Sequence, residues 1–308
     1  MASMNSKHLS ALIALFLAVG LVSCMNKLDD PSAGTVEQNI QHIKDHLTAN
    51  QLQDRVTPTV SGLYYIITPT PSTAKAATAN EELEFTYTLS YIDPTTKKAV
   101  LVDSTNKTKP AYIPFLAGVV VPGLEEGFLL MKEGQTGRFY MPNNLAFGSS
   151  TRDKKMPAYS AVIFDVKLNR SRSQIQQMGD YAILKELPRP DTIALAQGSD
   201  SVRVYRLSKG KGARITAGQT VTVAYTANSL RGTAPFEKSD SLSIKLGSSQ
   251  YIVGLDRGIA QLTVGDKALL VFPSGIGYGA QGSSDSKGYY VVPPYSPLAF
   301  EITVKSAK

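Results

Sequence analysis

The strongest constraint on this chain is an internal duplication. Val121-Pro122-Gly123-Leu124-Glu125-Glu126-Gly127 leads into Leu130, Met131 and Gly134, then Arg138 to Pro142 and Ala146-Phe147-Gly148. Ile252-Val253-Gly254-Leu255-Asp256-Arg257-Gly258 leads into Ile259, Leu262 and Gly265, then Lys267 to Pro273 and Gly277-Tyr278-Gly279. Gly123, Gly134, Pro142 and Phe147 precede Gly254, Gly265, Pro273 and Tyr278 at one constant offset. A repeat of that length is a domain copied, not a solenoid turn. The 308 residues suffice for two domains that each bury a core.

Within the repeat, Leu255, Ile259 and Leu262 keep helical spacing, and Gly254 and Gly265 bracket about three turns. Asp256 in the first turn suits the helix dipole. Lys267 to Phe272 is rich in strand formers, and Pro273 ends that run. Upstream, Gly62 to Ile67 reads as a strand. Leu83 to Tyr91 alternates as another, with Phe85, Tyr87 and Leu89 on one face. Residues 92–113 read as a polar excursion around Asp103. In the second copy Val202 to Leu207 and Thr220 to Ala227 correspond to these strands, so Tyr225 matches Tyr87.

Helical patterns precede each copy. Val36, Ile40, Ile43 and Leu47 repeat at helical spacing between Thr35 and Leu52. This helix could pair with a copy of itself, which makes a dimer possible; packing on its own domain is the favoured reading. His42 and His46 stand one turn apart there, a zinc-compatible spacing, but no third ligand is evident and both read as surface residues. Ser171 to Leu187 is a second helical pattern, with Ile175, Met178, Tyr181, Ala182 and Leu184 on its apolar side, stopped by Pro188 and Pro190. Asp191 to Gln197 is expected to be a further short helical piece. The resulting layout is 1–23 signal peptide, 24–34 tether, 35–170 first domain, 171–199 helical connector and 200–308 second domain.

The N-terminus carries its own signal. Lys7 and His8 precede the apolar run Leu9 to Val22, too short to span as a permanent helix and suited to a signal h-region. Leu21-Val22-Ser23-Cys24 closes it and resembles a bacterial lipoprotein box. That resemblance implies a lipidated Cys24 as first mature residue and a cell-envelope protein anchored to a membrane, the outer one, facing periplasm or exterior. Cys24 is the single cysteine, so no internal disulfide is available. The formal charge of +7 comes from scattered Lys and Arg, densest at Arg152-Asp153-Lys154-Lys155 and Lys209 to Arg214. No nucleic-acid partner is expected from that distribution.

The second copy, Tyr251 to Phe300, holds no His, no Cys and no paired carboxylates, so any chemistry there must work through shape and apolar walls. Gly277 to Gly282 matches G-x-G-x-x-G, but Ser283-Ser284-Asp285-Ser286-Lys287-Gly288 follows instead of a helix, which argues against a dinucleotide loop. No histidine lies beyond His46, which argues against a Ser or Cys hydrolase.

The second unit resembles an FKBP-type peptidyl-prolyl isomerase domain. The residues that carry this are Val223-Ala224-Tyr225-Thr226, Phe236-Glu237, Ile252 to Leu255, Gly265-Asp266-Lys267-Ala268, Gly277-Tyr278-Gly279, Val292-Pro293-Pro294-Tyr295-Ser296 and Leu298-Ala299-Phe300-Glu301. They cover nearly all of 215–308 in the family's order. The first unit resembles the family over about 80–170, and the whole chain is similar to tandem FKBP-like lipoproteins of Bacteroidetes-type bacteria. The resemblance implies an α+β fold: two domains, each a twisted antiparallel sheet curled around a short helix, joined by helical connectors. It implies an isomerase without cofactor or metal, acting on X-Pro segments of unfolded or exported proteins. The competing class is a non-catalytic chaperone or binding module of the cell envelope.

By that resemblance the second unit's pocket is built from Tyr225, Phe236, Glu237, Tyr278 and Phe300, with Ile252, Leu255 and Val292 binding substrate. Leu255 forms the floor, and Phe236 and Phe300 form walls. The Tyr278 hydroxyl donates to a substrate carbonyl, and Glu237 stands where the family usually has Asp. In the first unit Tyr87, Asp103, Val121, Leu124, Met156 and Phe164 match. Val102 stands where Phe is expected, and Phe147 replaces the loop tyrosine. The resemblance therefore implies activity mainly in the second domain and a degenerate first domain.

Overall fold

The computed structural model describes residues 33–69, 73–105, 108–152, 155–197 and 200–308. The expected signal peptide, Cys24 and the tether up to residue 32 lie outside the described residues. The first half runs α1 (Ala33–Ala49), β1 (Thr57–Pro58), β2 (Tyr64–Ile67), β3 (Glu82–Ile92), β4 (Ala99–Ser104), β5 (Ala111–Pro114), α2 (Pro122–Leu129), β6 (Thr136–Met141) and β7 (Val162–Arg172). The second runs α3 (Gln174–Leu184), β8 (Thr192–Gln197), β9 (Asp200–Ser208), β10 (Thr220–Ser229), β11 (Glu237–Lys245), α4 (Val253–Ile259), β12 (Lys267–Phe272), β13 (Ser283–Ser284), β14 (Tyr290–Val292) and β15 (Leu298–Ala307).

The duplication is visible in strand order. The first sheet is ordered β1-β2-β6-β7-β3-β4, with β5 also on β3; the second is β8-β9-β12-β15-β10-β11. All pairings within both sheets are antiparallel. Even a left-handed tyrosine is repeated: Tyr159 (φ 56°) and Tyr295 (φ 55°) donate their backbone N–H to the carbonyls of Gly148 and Gly279.

Strand alternation sends one set of side chains inward. Phe85, Leu89, Phe139, Phe164 and Leu168 meet Leu124 and Phe128 of α2 in one core, and Val221, Val223, Leu270, Phe300 and Ile302 meet Leu255 and Ile259 of α4 in the other. The short helices lie close against the sheet because of glycine. A Cβ on Gly127 would strike the Phe139 ring, and one on Gly254 would strike Phe272.

The outer face of each sheet is closed by the preceding helix. Ile43 and Leu47 of α1 pack with Ile92, Tyr140, Ala161 and Ile163, so the first helix spends these side chains on its own domain. Met178 of α3 packs with Tyr205, Leu269, Val271 and Ala299. A capping box between Ser173 and Gln176 starts α3.

The structure corrects several expectations. Thr192–Gln197 is a strand, not a helical piece; it pairs along the free edge of β9, from Thr192↔Val204 onward. The run Ala194-Leu195-Ala196-Gln197 favours a helix by local propensity, and ladder pairing overrides so weak a preference. The polar excursion 92–113 contains β4 and β5. Asp93 accepts the N–H groups of Thr95 and Thr96, and Lys97 (φ 58°) completes the turn that folds β4 back on β3. Helix α4 closes at Ile259, short of the expected three turns, and Leu262 is buried in the turn that follows. His46 is not a surface residue: it is 6% exposed, with Nδ1 2.8 Å from the Lys97 carbonyl.

The two halves meet through specific contacts. Arg231, in the turn after β10, pairs with both carboxylate oxygens of Glu82 (2.8 and 3.1 Å), and its guanidinium lies 3.7 Å from the centre of the Tyr112 ring. Glu82 is also held by the buried Arg172. Gln174 and Ser274 bond reciprocally, with the Ser274 N–H donating to Gln174 Oε1 (2.7 Å) and Gln174 Nε2 donating to Ser274 Oγ (2.9 Å).

Candidate functional site

In the second domain, strand register brings the expected residues together. Tyr225 on β10 and Phe300 on β15 both point inward, and Ala227 pairs with Phe300 on one side and Glu237 on the other. The Phe236 N–H donates to the Ala227 carbonyl, which fixes Phe236 at the mouth of β11. Ile252 caps α4 and Leu255 lies in its first turn. Tyr278 follows the 3₁₀ turn Ser274–Ile276, and Val292 ends β14. Tyr225, Leu255, Val292 and Phe300 are buried in one cluster, with Phe236, Ile252 and Tyr278 half-buried against it.

Four rings make an aromatic box. Phe236 stands edge-on to Tyr278 (6.2 Å between centroids) and to Phe300 (6.1 Å), while Tyr225 stacks on Phe300 at 5.9 Å. Phe272 stacks behind Phe300 at 5.6 Å and braces that wall. Edge-to-face and offset pairs are the favoured arrangements of aromatic quadrupoles, so the walls hold one another.

Two hydroxyls differ in what they hold. Tyr225 donates to Glu237 Oε1 at 2.6 Å, so the glutamate reaches this hydroxyl despite its longer arm. Burial and that carboxylate push the Tyr225 hydroxyl well above its ordinary pKa, so it stays protonated. Tyr278 is also pushed up by burial and by the Glu237 charge, yet its hydroxyl bonds no described residue. It is a hydroxyl donor held at the half-buried edge of the aromatic cluster.

The first domain brings together the same positions with different contents. Tyr87 donates to Asp103 at 2.7 Å, and burial with that carboxylate pushes its hydroxyl up to about 12. Val102, Leu124, Met156 and Phe164 are buried, with Tyr87, Val121 and Phe147 packed against them. Phe147 lies 6.3 Å from Phe164 but has no hydroxyl to offer. Val102 fills the place that Phe236 occupies in the other copy, without a ring. The Arg152 guanidinium lies 4.7 Å from the Phe147 ring centre. Sequence reading counted Arg152 only as surface charge; nothing in its spacing from Phe147 announced the stack. Among the described residues no group of three or more His, Cys, Asp or Glu is placed to hold a metal ion.

Fold and site together define a class: an antiparallel sheet wrapped on a short helix, with a cluster of aromatic rings between them. This chain belongs to the FKBP-type peptidyl-prolyl cis-trans isomerase family, which it matches twice, over residues 73–169 and 211–305. It is 26% identical over 202 residues to peptidyl-prolyl cis-trans isomerase FKBP9 of Homo sapiens, covering 65% of this chain and 30% of that protein. It is 26% identical over 236 residues to FKBP10 of Mus musculus, covering 75% of this chain and 35% of the relative. The chain thus spans about a third of the length of these relatives. A crystal structure of the three FKBP domains of wheat FKBP73 aligns at 19% identity and a TM-score of 0.37, covering 81% of this chain and 96% of that one.

Proposed function

We propose that this protein catalyses cis-trans isomerisation of X-Pro peptide bonds, mainly in its second domain. The observation that carries this reading is the box of Tyr225, Phe236, Tyr278 and Phe300 beside a Tyr278 hydroxyl with no described partner. Rotation about an X-Pro bond meets a barrier of about 18–20 kcal/mol and takes tens to hundreds of seconds unaided, slow enough to limit folding. In the twisted transition state amide resonance is lost and the carbonyl is less dipolar. An apolar cleft that seats the pyrrolidine ring on Leu255, between Phe236 and Phe300, favours that state over the planar one. The Tyr278 hydroxyl steadies a neighbouring carbonyl. A thousandfold acceleration needs about 4 kcal/mol, and no covalent step is required.

The first domain suits binding better than turnover. Val102 removes a wall, Phe147 removes a donor, and Arg152 stacks on the ring that remains. This supports the alternative role of holding unfolded clients without turnover. We further propose that the protein works in the cell envelope on exported chains, tethered through lipid on Cys24, as the Leu21-Val22-Ser23-Cys24 box suggests. Among the described residues no helix is long and apolar enough to cross a membrane. Cys24→Ser should release the protein from the membrane fraction, and retention there would defeat the anchor.

The decisive assay is isomerisation of an X-Pro peptide by the full chain and by Phe236→Ala/Tyr278→Phe. Unchanged rates would remove the second-domain assignment. Suppressed aggregation of an unfolded client with no rate effect would leave the holding role.

A further inference from the structure

A groove of about 160 Å³ separates the two domains beside the candidate site. Its first-domain wall carries Asn80, Tyr112 and Pro114; its second-domain wall carries Pro294, Tyr295 and Pro297. Its charges are already matched, since Glu82 is bound by Arg231 and Arg172. The surface left for a ligand is therefore the Tyr295 ring, the prolines and the edge of Tyr112, whose face Arg231 covers, with Ser229, Ser296 and the Asn80 carboxamide as polar handles.

Register places this groove next to the box. β10 and β15 pair Ala227 with Phe300 and, two residues on, Ser229 with Leu298. Ser229 lines the groove, while Phe236 bonds to Ala227. At about 3.3 Å per residue the groove begins about 7 Å along the strand from the Phe236 and Phe300 walls. Two residues of extended peptide cover that distance. The segment Pro293 to Pro297 also runs directly from Val292, buried in the same cluster as the box, into the groove lining.

We propose that the interdomain groove is a subsite for the chain flanking a bound proline, and that it takes an extended segment bearing proline or an aromatic residue. Stacked rings and prolines suit such a segment, because a polyproline-like backbone is pre-ordered and binds aromatic-lined grooves at low entropic cost. The proposal rests on the isomerase reading of the second domain. It gives the first domain a part in substrate selection that needs no turnover of its own.

The test uses the full chain and two labelled peptides. One is a short X-Pro tetrapeptide; the other extends it on both sides with proline- and phenylalanine-containing segments. KM for isomerisation and Kd by fluorescence anisotropy are measured for each. In the parent the extension should lower both constants about tenfold with kcat little changed, a gain within reach of one buried ring. Tyr295→Asn removes a ring at a left-handed position that Asn tolerates. In that variant and in Tyr112→Leu the long-to-short ratio should fall toward one, and Tyr112→Phe should restore it. Equal constants for both peptides in the parent, or a ratio untouched by both variants, would overturn the proposal. Binding that depends on length without any isomerisation would keep the subsite and remove the enzyme.

Discussion

The two domains share one strand order, and beyond their loops, where β5 and the β13–β14 hairpin each occur in one domain, they differ at three kinds of position. The first kind is buried charge. Asp266 is fully buried in the second domain, accepting the N–H groups of Gly210 (2.6 Å) and Thr263 (2.8 Å) and pairing with Arg206 at 3.0 Å. The first domain has Gln135 there, accepting from Lys132 N–H and donating to the Thr68 carbonyl. The second kind is the cleft, where Phe236 and Tyr278 face Val102 and Phe147. The third is the rim, where Arg152 stacks in one domain only. Sheet order tolerates such exchanges because it depends on alternation, whereas the aromatic cluster depends on individual rings.

The largest expected effect separates the buried groups. Asp266→Ala leaves two backbone donors without an acceptor and Arg206 with only the Gln261 carbonyl, and should cost the second domain about 3 kcal/mol, against about 1–2 for Gln135→Ala. Separate unfolding transitions in calorimetry would show this, and equal losses would erase the contrast. Acid should act in the same sense. Burial raises the Asp266 pKa, but the Gly210 and Thr263 amides and Arg206 outweigh it, so the folded value lies below the ordinary one. Its stabilisation is then complete above the unfolded value near 4 and is lost as pH falls through the lower folded pKa. Gln135 does not titrate, so in melts between pH 6 and pH 2 Asp266→Asn should remove part of the second domain's acid loss, while Gln135→Ala should leave the acid loss of the first unchanged.

Next comes the cleft. Phe236→Ala with Tyr278→Phe removes a wall and a donor, together about 3 kcal/mol of transition-state stabilisation, or on the order of a hundredfold in kcat/KM. The reverse exchange is smaller: Val102→Phe with Phe147→Tyr, placed in that disabled background, should recover about fivefold. No recovery in peptide assays would mean that the first cleft is closed by more than these two residues. Smallest is the interdomain contact. Arg231→Gln loses a partly exposed ion pair and a cation–π stack, about 1 kcal/mol, read as a wider gap between the two unfolding transitions.

The sequence made the duplication and the inward strand faces legible because each has a local mark: a glycine or a period of two. Only the family resemblance placed Tyr225, Phe236 and Phe300 together; their own spacing reads equally well as core. The residues 192–197 could not be read correctly, since Ala, Leu and Gln favour a helix and only the free edge of β9 makes a strand of them. Arg231, Tyr112 and Arg152 carried no mark at all. Their roles arise from neighbours far along the chain, and pairing across such separations has no period to detect. His46 erred in the same way, for its burial depends on the turn at Lys97.

The helix that shields the outer face of the second sheet lies wholly before residue 200. A fragment begun at Asp200 would therefore lay bare Tyr205, Leu269, Val271 and Ala299, an oily scar that invites clumping. Anyone dissecting the two halves should start the later one at Ser173, where the capping box already supplies a natural seam.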